Sequence, residues 1–233
     1  MKPIVKGTDK SMSQWLIGEL PEHYDQMIFV DTMCDDLSVF LGKRRSRLDI
    51  LNDLDANLVN LYRAVRDEYR DMSRRVNNLK CSDESFQKHL ASMSKQPEDY
   101  MDRAVSELAI RKMSKGENKL LYSGRPVDWK LVCKDLLSLN KSLQETFFMS
   151  KESLDVIQKF NHSETVLLHT LQMGQREQHY NRLANTFRNF SGLAMIVCHD
   201  QKIYKSHFQT WKLKRKILSI NGKKKVHYLW KNF

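Results

Sequence analysis

Ile-Leu-Asn-Asp-Leu-Asp-Ala-Asn-Leu-Val-Asn-Leu-Tyr-Arg-Ala-Val-Arg-Asp, residues 50–67, reads as the end of a strand, an acidic turn and a helix. Leu48, Ile50 and Leu51 form the apolar lead-in, and Asn52, Asp53 and Asp55 make the turn. Asp55 or Asn57 is placed to cap the helix, because a short polar side chain accepts the orphan N–H groups of a first turn. Leu58, Leu61, Tyr62 and Val65 recur at helical spacing and mark one buried face. An acid just past a strand has two readings: it caps the helix, or it accepts both hydroxyls of a ribose.

Toward the N-terminus, a short helix at 12–20 stops before Pro21, and Met27-Ile28-Phe29-Val30 is a buried run inside a strand at 26–32. Val39-Phe40-Leu41 opens a short apolar segment that Gly42 ends. Residues 26–70 therefore alternate strand, helix, strand, helix, the pattern of an α/β sheet. Toward the C-terminus the character changes. Residues 71–145 are rich in Lys, Arg, Ser, Met and Asn, with almost no β-branched runs. Helices are predicted at 83–86, 97–112 and 132–144, with a Gly- and Pro-bearing loop at 116–127. From 146 the strand pattern returns: strands at 146–149 and 165–168 around a helix at 152–160, a helix at 179–190, and a buried strand at 193–198. A helix at 203–210 follows, then strands at 212–220 and 225–230 flanking Asn221-Gly222, a hairpin turn pair. The expected domains are an α/β domain of residues 1–70 and 146–233, ending in an antiparallel hairpin, and a helical insertion of residues 71–145.

The 233 residues suffice for one large domain or a domain with an insertion. No run of 18 apolar residues offers a membrane span, and the N-terminal residues lack the apolar segment of a signal peptide. Cys34, Cys81, Cys133 and Cys198 are far apart and follow no metal-ligand spacing, so reduced thiols in a cytoplasmic or nucleoid-associated protein are expected and no metal is. The net charge is +11, yet residues 201–233 hold ten Lys and Arg and no Asp or Glu. Lys43-Arg44-Arg45-Ser46-Arg47 is a second basic cluster. A solvated basic face is the plain reading of such runs; a polyanion, DNA or RNA first, is the functional one.

Six segments resemble, in register and over almost the full length, the D12 class (Dam-type) of DNA N6-adenine methyltransferases. They are Pro3 to Lys10; Leu20-Pro21-Glu22-His23-Tyr24 before a strand; the acidic-turn helix from Asn52 to Asp67; Asp102 to Gly116, with its Met113-Ser114-Lys115-Gly116 loop; Ser150 to Ile157; and the final strands, including Leu229-Trp230-Lys231-Asn232-Phe233. The resemblance implies a Rossmann-like methyltransferase sheet with a C-terminal hairpin and a target-recognition insertion. It also implies that Lys10, Asp31, Asp53 and Glu152 are vestigial positions of the class's S-adenosylmethionine pocket. Nucleic-acid contacts are expected at Lys43, Arg44, Arg45, Arg47, Arg111, Lys112, Ser114, Lys115, Lys119 and Arg125.

Two departures fall on the chemistry. The family's glycine-rich cofactor loop is here Asp31-Thr32-Met33-Cys34-Asp35-Asp36-Leu37-Ser38, with Asp35 and Leu37 standing where the family has glycines. The family's Asp-Pro-Pro-Tyr tetrad, which binds the extruded adenine, is replaced by His169-Thr170-Leu171-Gln172, and the loop after it is short. His169 is read as a strand-end residue at the surface or in a polar contact. The expectation is a catalytically inactive homologue that binds no cofactor. It would act on double-stranded DNA as a binding or structural subunit beside an active methyltransferase paralogue. The alternatives are an active S-adenosylmethionine-dependent adenine methyltransferase with a divergent site, and a stand-alone nucleic-acid-binding regulator.

Overall fold

Strands form where the sequence offers apolar runs long enough to be buried on both faces, and the sheet is built around the first of them. A computed structural model describes residues 10–35, 37–95, 98–116, 119–171, 177–199, 205–220 and 223–233. In chain order these give α1 (Lys10–Gly18), β1 (Ile28–Asp31), α2 (Ser38–Gly42), β2 (Leu48–Asn52), α3 (Ala56–Asp67), α4 (Tyr69–Asn77), α5 (Asp83–Ser94), α6 (Tyr100–Met113), β3 (Ser114–Lys115) and β4 (Leu121–Tyr122). They continue with α7 (Trp129–Leu143), β5 (Thr146–Met149), α8 (Ser153–Lys159), β6 (Thr165–Thr170), α9 (Glu177–Arg188), β7 (Leu193–Cys198), β8 (Lys212–Ile220) and β9 (Lys223–Lys231).

The seven-stranded sheet runs in the order β5-β2-β1-β6-β7-β9-β8. β1 pairs in parallel with β2 on one side and β6 on the other, and β6 in parallel with β7. β9 is antiparallel to β7, and β8 to β9. This is a mixed α/β sheet: mostly parallel, closed on one side by an antiparallel hairpin. The parallel strands are buried on both faces, as βαβ crossovers require, so they read as unbroken apolar runs rather than alternating ones. Phe29, Val30, Leu51, Val166 and Leu167 are fully enclosed. The core joins Val30, Ile50, Val156, Leu167, Leu183, Phe187, Ile196, Phe208 and Trp230. Gly192 leads into β7 where nothing larger fits: a Cβ would lie 2.5 Å from the Thr165 carbonyl oxygen and 2.6 Å from that of His162.

By its contacts the chain divides into two compact units. One holds the described residues of 10–34, 42–54 and 149–233, with the sheet strands other than most of β5; the other holds 35–41 and 55–148. The helical unit thus begins at 55 rather than 71, because α3 packs its apolar face on α6 and α7. Its helices start where short polar side chains meet the free N–H groups of a first turn. Asp55 accepts from Asn57 and Leu58, Ser82 from Ser85, Asp99 from Met101 and Asp102, and Asp128 from Leu131.

Several elements differ in extent from the sequence reading. The apolar segment at Val39 is the one-turn helix α2, and the helix predicted at 56–70 breaks at Glu68. The segment predicted at 83–86 extends into the 12-residue α5. The predicted loop at 116–127 carries β4, which pairs with β3. The Asn221-Gly222 turn and the first part of the helix predicted at 203–210 lie outside the described residues. Among the described residues, no helix is long and apolar enough to cross a membrane, and no group of three His, Cys, Asp or Glu is placed to hold a metal.

Candidate active site

Strand order reverses between β1 and β6: the chain winds outward through β2 and β5 on one side and through β7 on the other. At such a switch point the loops leaving the carboxyl ends diverge and open a crevice, which is where open α/β sheets bind ligands. A cavity of about 270 Å³ lies here, lined by Met33, Leu54, Glu152, Ser153, His169, Leu171 and His179. Each carboxyl end contributes: Met33 after β1, Leu54 after β2, Glu152 and Ser153 after β5, and His169 and Leu171 from β6. All these residues belong to the sheet unit.

Asn52, the last residue of β2, ties three of these ends together and is fully buried. Its side-chain amide donates to the carbonyls of Thr32 (2.9 Å) and Lys151 (3.0 Å), and its oxygen accepts the Lys151 N–H at 3.0 Å. Its backbone carbonyl accepts the Cys34 N–H at 2.8 Å. In sequence it reads only as a turn residue, because its partners lie about 20 and 100 positions away.

His169 takes the second of its two sequence readings: it is in a polar contact and buried, 2% exposed, rather than at the surface. Val166-Leu167-Leu168 continues as a buried strand through it, and the first exposed residue is Thr170. Its Nδ1 lies 2.7 Å from Thr32 Oγ1, which also lies 3.2 Å from the Leu168 carbonyl oxygen. That carbonyl also takes the Thr32 N–H at 3.0 Å, so it accepts twice, and the direction of the Thr32–Nδ1 hydrogen bond follows the imidazole tautomer. The other ring nitrogen, Nε2, is buried and has no hydrogen-bond partner among the described residues. Burial pushes the ring's pKa down to about 3, with His179 adding a smaller push, so His169 is neutral at neutral pH. The site therefore combines a neutral imidazole at His169, the acidic side chain of Glu152, and apolar walls from Met33, Leu54 and Leu171.

The loop after β1 keeps a shape that its residues make costly. Asp35 has φ 31° and Leu37 has φ 61°, the left-handed region that favours glycine. These are the two positions where the resembling family has glycines. The backbone bends as a glycine loop bends, with side chains carried on it.

The remaining expected cofactor residues are placed as follows. Asp31 is buried at the end of β1 and accepts the Met33 N–H at 3.1 Å. Asp53 is half-buried and donates its N–H to the Met149 carbonyl, but does not line the cavity. Lys10 is exposed at the start of α1 and does not line it either. Gln172 lies outside the described residues.

The expected nucleic-acid residues are mostly engaged elsewhere. Lys43 is buried with its ammonium 2.5 Å from Asp49, 2.8 Å from Ser46 Oγ and 4.4 Å from the centre of the Phe29 ring. Burial pushes its pKa down against the opposing pull of Asp49. It is a core ion pair, not a phosphate ligand. Arg44 pairs with Asp25, Arg45 with Asp49 and Arg47 with Glu164, although all three stay exposed. In the helical unit Arg111 is drawn into a largely buried pair with Glu107 and lies 2.7 Å from Asp55, which corrects its expected surface role. Lys119 stands within 4 Å of both acids. Lys112 and Ser114 are half-buried, while Lys115 and Arg125 are exposed.

No family model and no curated protein matches the chain. Among solved structures it is similar to the rRNA methyltransferase aviRa of Streptomyces viridochromogenes, at 13% identity over 99% of this chain and 88% of that one, with TM-score 0.45. It is similar to a SAM-dependent O-methyltransferase of Thermotoga maritima at 6% identity over 97% and 66%, TM-score 0.45. A Listeria monocytogenes protein described as a predicted N6-adenine-specific DNA methylase gives 12% identity over 97% and 51%, TM-score 0.39. The three are described as methyltransferases or a methylase, and at these identities the likeness is one of fold alone. The expectation of an inactive chain is corrected here: nothing in these similarities supports it, and at 6–13% identity the absence of the tetrad and glycines decides nothing about activity. The expectation that no cofactor binds falls with it.

Proposed function

We propose that the chain is an S-adenosylmethionine-dependent methyltransferase acting on adenine in double-stranded DNA, with a divergent active site at the carboxyl end of β6. The observation that carries this reading is the switch-point cavity with His169 on its wall. An adenine ring presents an acceptor nitrogen beside a donor amino group along one edge. The cavity brings a neutral imidazole and the Glu152 side chain, two polar groups suited to such an edge, between apolar walls that suit the ring faces. The class resemblance assigns Glu152 and Asp53 to the cofactor, so the ring in this cavity is the cofactor's adenine, with Asp53 toward the ribose. Bound S-adenosylmethionine supplies an electrophilic methyl group. Glu152 and His169 fix the orientation of the adenine, Thr32 hydrogen-bonds His169, and Met33, Leu54 and Leu171 keep water off the ring. The D12-class resemblance of six ordered segments and the basic composition of residues 201–233 support DNA adenine as the substrate.

Calorimetric titration with S-adenosylmethionine is expected to show saturable binding. His169→Ala should weaken it about five- to tenfold, the worth of one hydrogen bond. Incubation with the methyl donor and duplex DNA should yield N6-methyladenine by mass spectrometry of digested nucleosides. A flat titration of the unaltered protein would sink the reading.

A further inference from the structure

We infer that the hairpin β8–β9 is the surface that holds the DNA backbone. Its charge is unlike that of any other part of the chain. Residues 201–233 carry ten Lys and Arg and no Asp or Glu, leaving the first 200 residues one charge above neutrality. The register places these cations on both faces of the ribbon. Lys212 faces the same side as Lys231, and Lys225 the same side as Leu218; Arg215 faces with Tyr228, on the side that Lys224 shares. Two members are spoken for, Lys214 and Lys231, which share Glu19, and Lys216 lies over the Trp15 ring. Lys212, Arg215, Lys224 and Lys225 are exposed and have no acidic partner among the described residues. The clusters expected from sequence differ on this point, since Lys43, Arg44, Arg45, Arg47 and Arg111 all face carboxylates.

Lysines on an outer strand have a simpler use, which is to keep another chain from adding to the edge. One or two charges achieve that, and such a guarded edge does not also expose large apolar side chains. Here Leu213 and Ile217 stand 40% and 53% exposed on either side of Arg215. A ribbon with this charge repels a second copy of itself and attracts a polyanion. Its apolar residues suit the sugar edge of a groove, and its cations the phosphates on either side.

The inference rests on the proposed DNA substrate and is tested apart from it. Binding of a fluorescent 24-base-pair duplex is followed by anisotropy across a salt series. The unaltered protein is compared with a hairpin variant, K212Q/R215Q/K224Q/K225Q. The control is a variant of equal net charge on the helical unit, K80Q/K130Q/K134Q/K141Q. Each phosphate contact contributes about 0.9 to the slope of log affinity against log salt. The hairpin variant should bind at least about tenfold more weakly at low salt, with a slope shallower by about 3. The control should keep most of both. Equal losses in the two variants, or no binding by the unaltered protein at low salt, would overturn the inference. The S-adenosylmethionine titration of the hairpin variant should be unchanged, so failure of the surface and failure of the methyltransferase reading are told apart.

Discussion

His169 and Thr32 lie 137 positions apart and meet only because β1 and β6 are neighbours in register, Asp31 beside Leu168. The Thr32 hydroxyl is the ring's hydrogen-bond partner among the described residues, and burial decides that the ring carries only one proton. The same burial links the site to stability. With its folded pKa lowered to about 3 against an ordinary value of 6.5, His169 binds a proton in the unfolded chain and not in the folded one between those limits. Its contribution is therefore full above about pH 6.5 and is lost as pH falls toward 3, at up to about 1.4 kcal/mol per pH unit. Urea unfolding of the unaltered protein and His169→Gln between pH 7 and pH 4 should show a shallower pH slope in the variant. Equal slopes would mean that the ring takes up its proton while folded. His179 and Glu152, the other titratable groups on the cavity, remain in both proteins. None of this is visible in the local sequence, where a histidine ending an apolar run is as readily exposed as buried. Lys43 misleads in the opposite direction. A lysine in a basic run reads as solvated, and only the fold reveals that Asp49, six positions on, draws it into the core.

At the scale of elements, the loop from β1 to α2 separates what a sequence reading can infer from what it cannot. Asp35 and Leu37 stand where the resembling class has glycines, and their charge and bulk read as a weakened cofactor pocket. The backbone takes left-handed conformations at both positions. Each non-glycine residue there costs on the order of 1 kcal/mol, less for Asp, which tolerates the conformation better than Leu. Leu37 offsets its cost by burial, worth roughly 1.5–3 kcal/mol, whereas Asp35 is exposed and gains little from burial. The two glycine substitutions should thus have opposite signs in scanning calorimetry. Asp35→Gly should raise the midpoint by about 1–3 °C, and Leu37→Gly should lower it by several degrees. A fall for both would show that the strain at Asp35 is already relieved by its neighbours. Strands were legible for the opposite reason. β1 and β7 are buried on both faces and spell nearly continuous apolar runs, while β8 and β9 announce themselves through the Asn-Gly pair between them. Helix α5 was read short because its buried face is thin, with Phe86 its one buried residue.

For the molecule as a whole, the sheet was legible because its signals are local: apolar runs, caps, and one turn pair. The site was legible only as a place, the carboxyl ends of β1, β2, β5 and β6. Its occupants depend on contacts across the whole chain, and resemblance supplied motif positions without saying what replacement residues do there. The basic surface shows the same division. Counting charges found the excess in residues 201–233, but separating paired from unpaired cations needed the register of the hairpin and the position of Glu19.

The amide of Asn52 carries a mechanical consequence. One planar group grips the carbonyl of Thr32 and both backbone groups of Lys151, so the loops leaving β1 and β5 are rigidly linked through the end of β2. Thr32 in turn steers His169, and Lys151 immediately precedes Glu152. His169 and Glu152 are therefore geared together: a displacement of one wall is felt at the other through two hydrogen-bonded steps. Hydrogen exchange should report this linkage. In Asn52→Ala the Lys151 amide loses its acceptor and should lose protection about five- to tenfold, the factor that follows from a bond worth about 1 kcal/mol; Cys34, whose own acceptor is the retained backbone carbonyl, should lose protection with it through the freed Thr32 loop, while β7 stays slow. Independent loss at one amide alone would mean that the two loops move separately. A single side chain would then set not only the width of the crevice but also the cooperativity with which its two sides respond to a ligand.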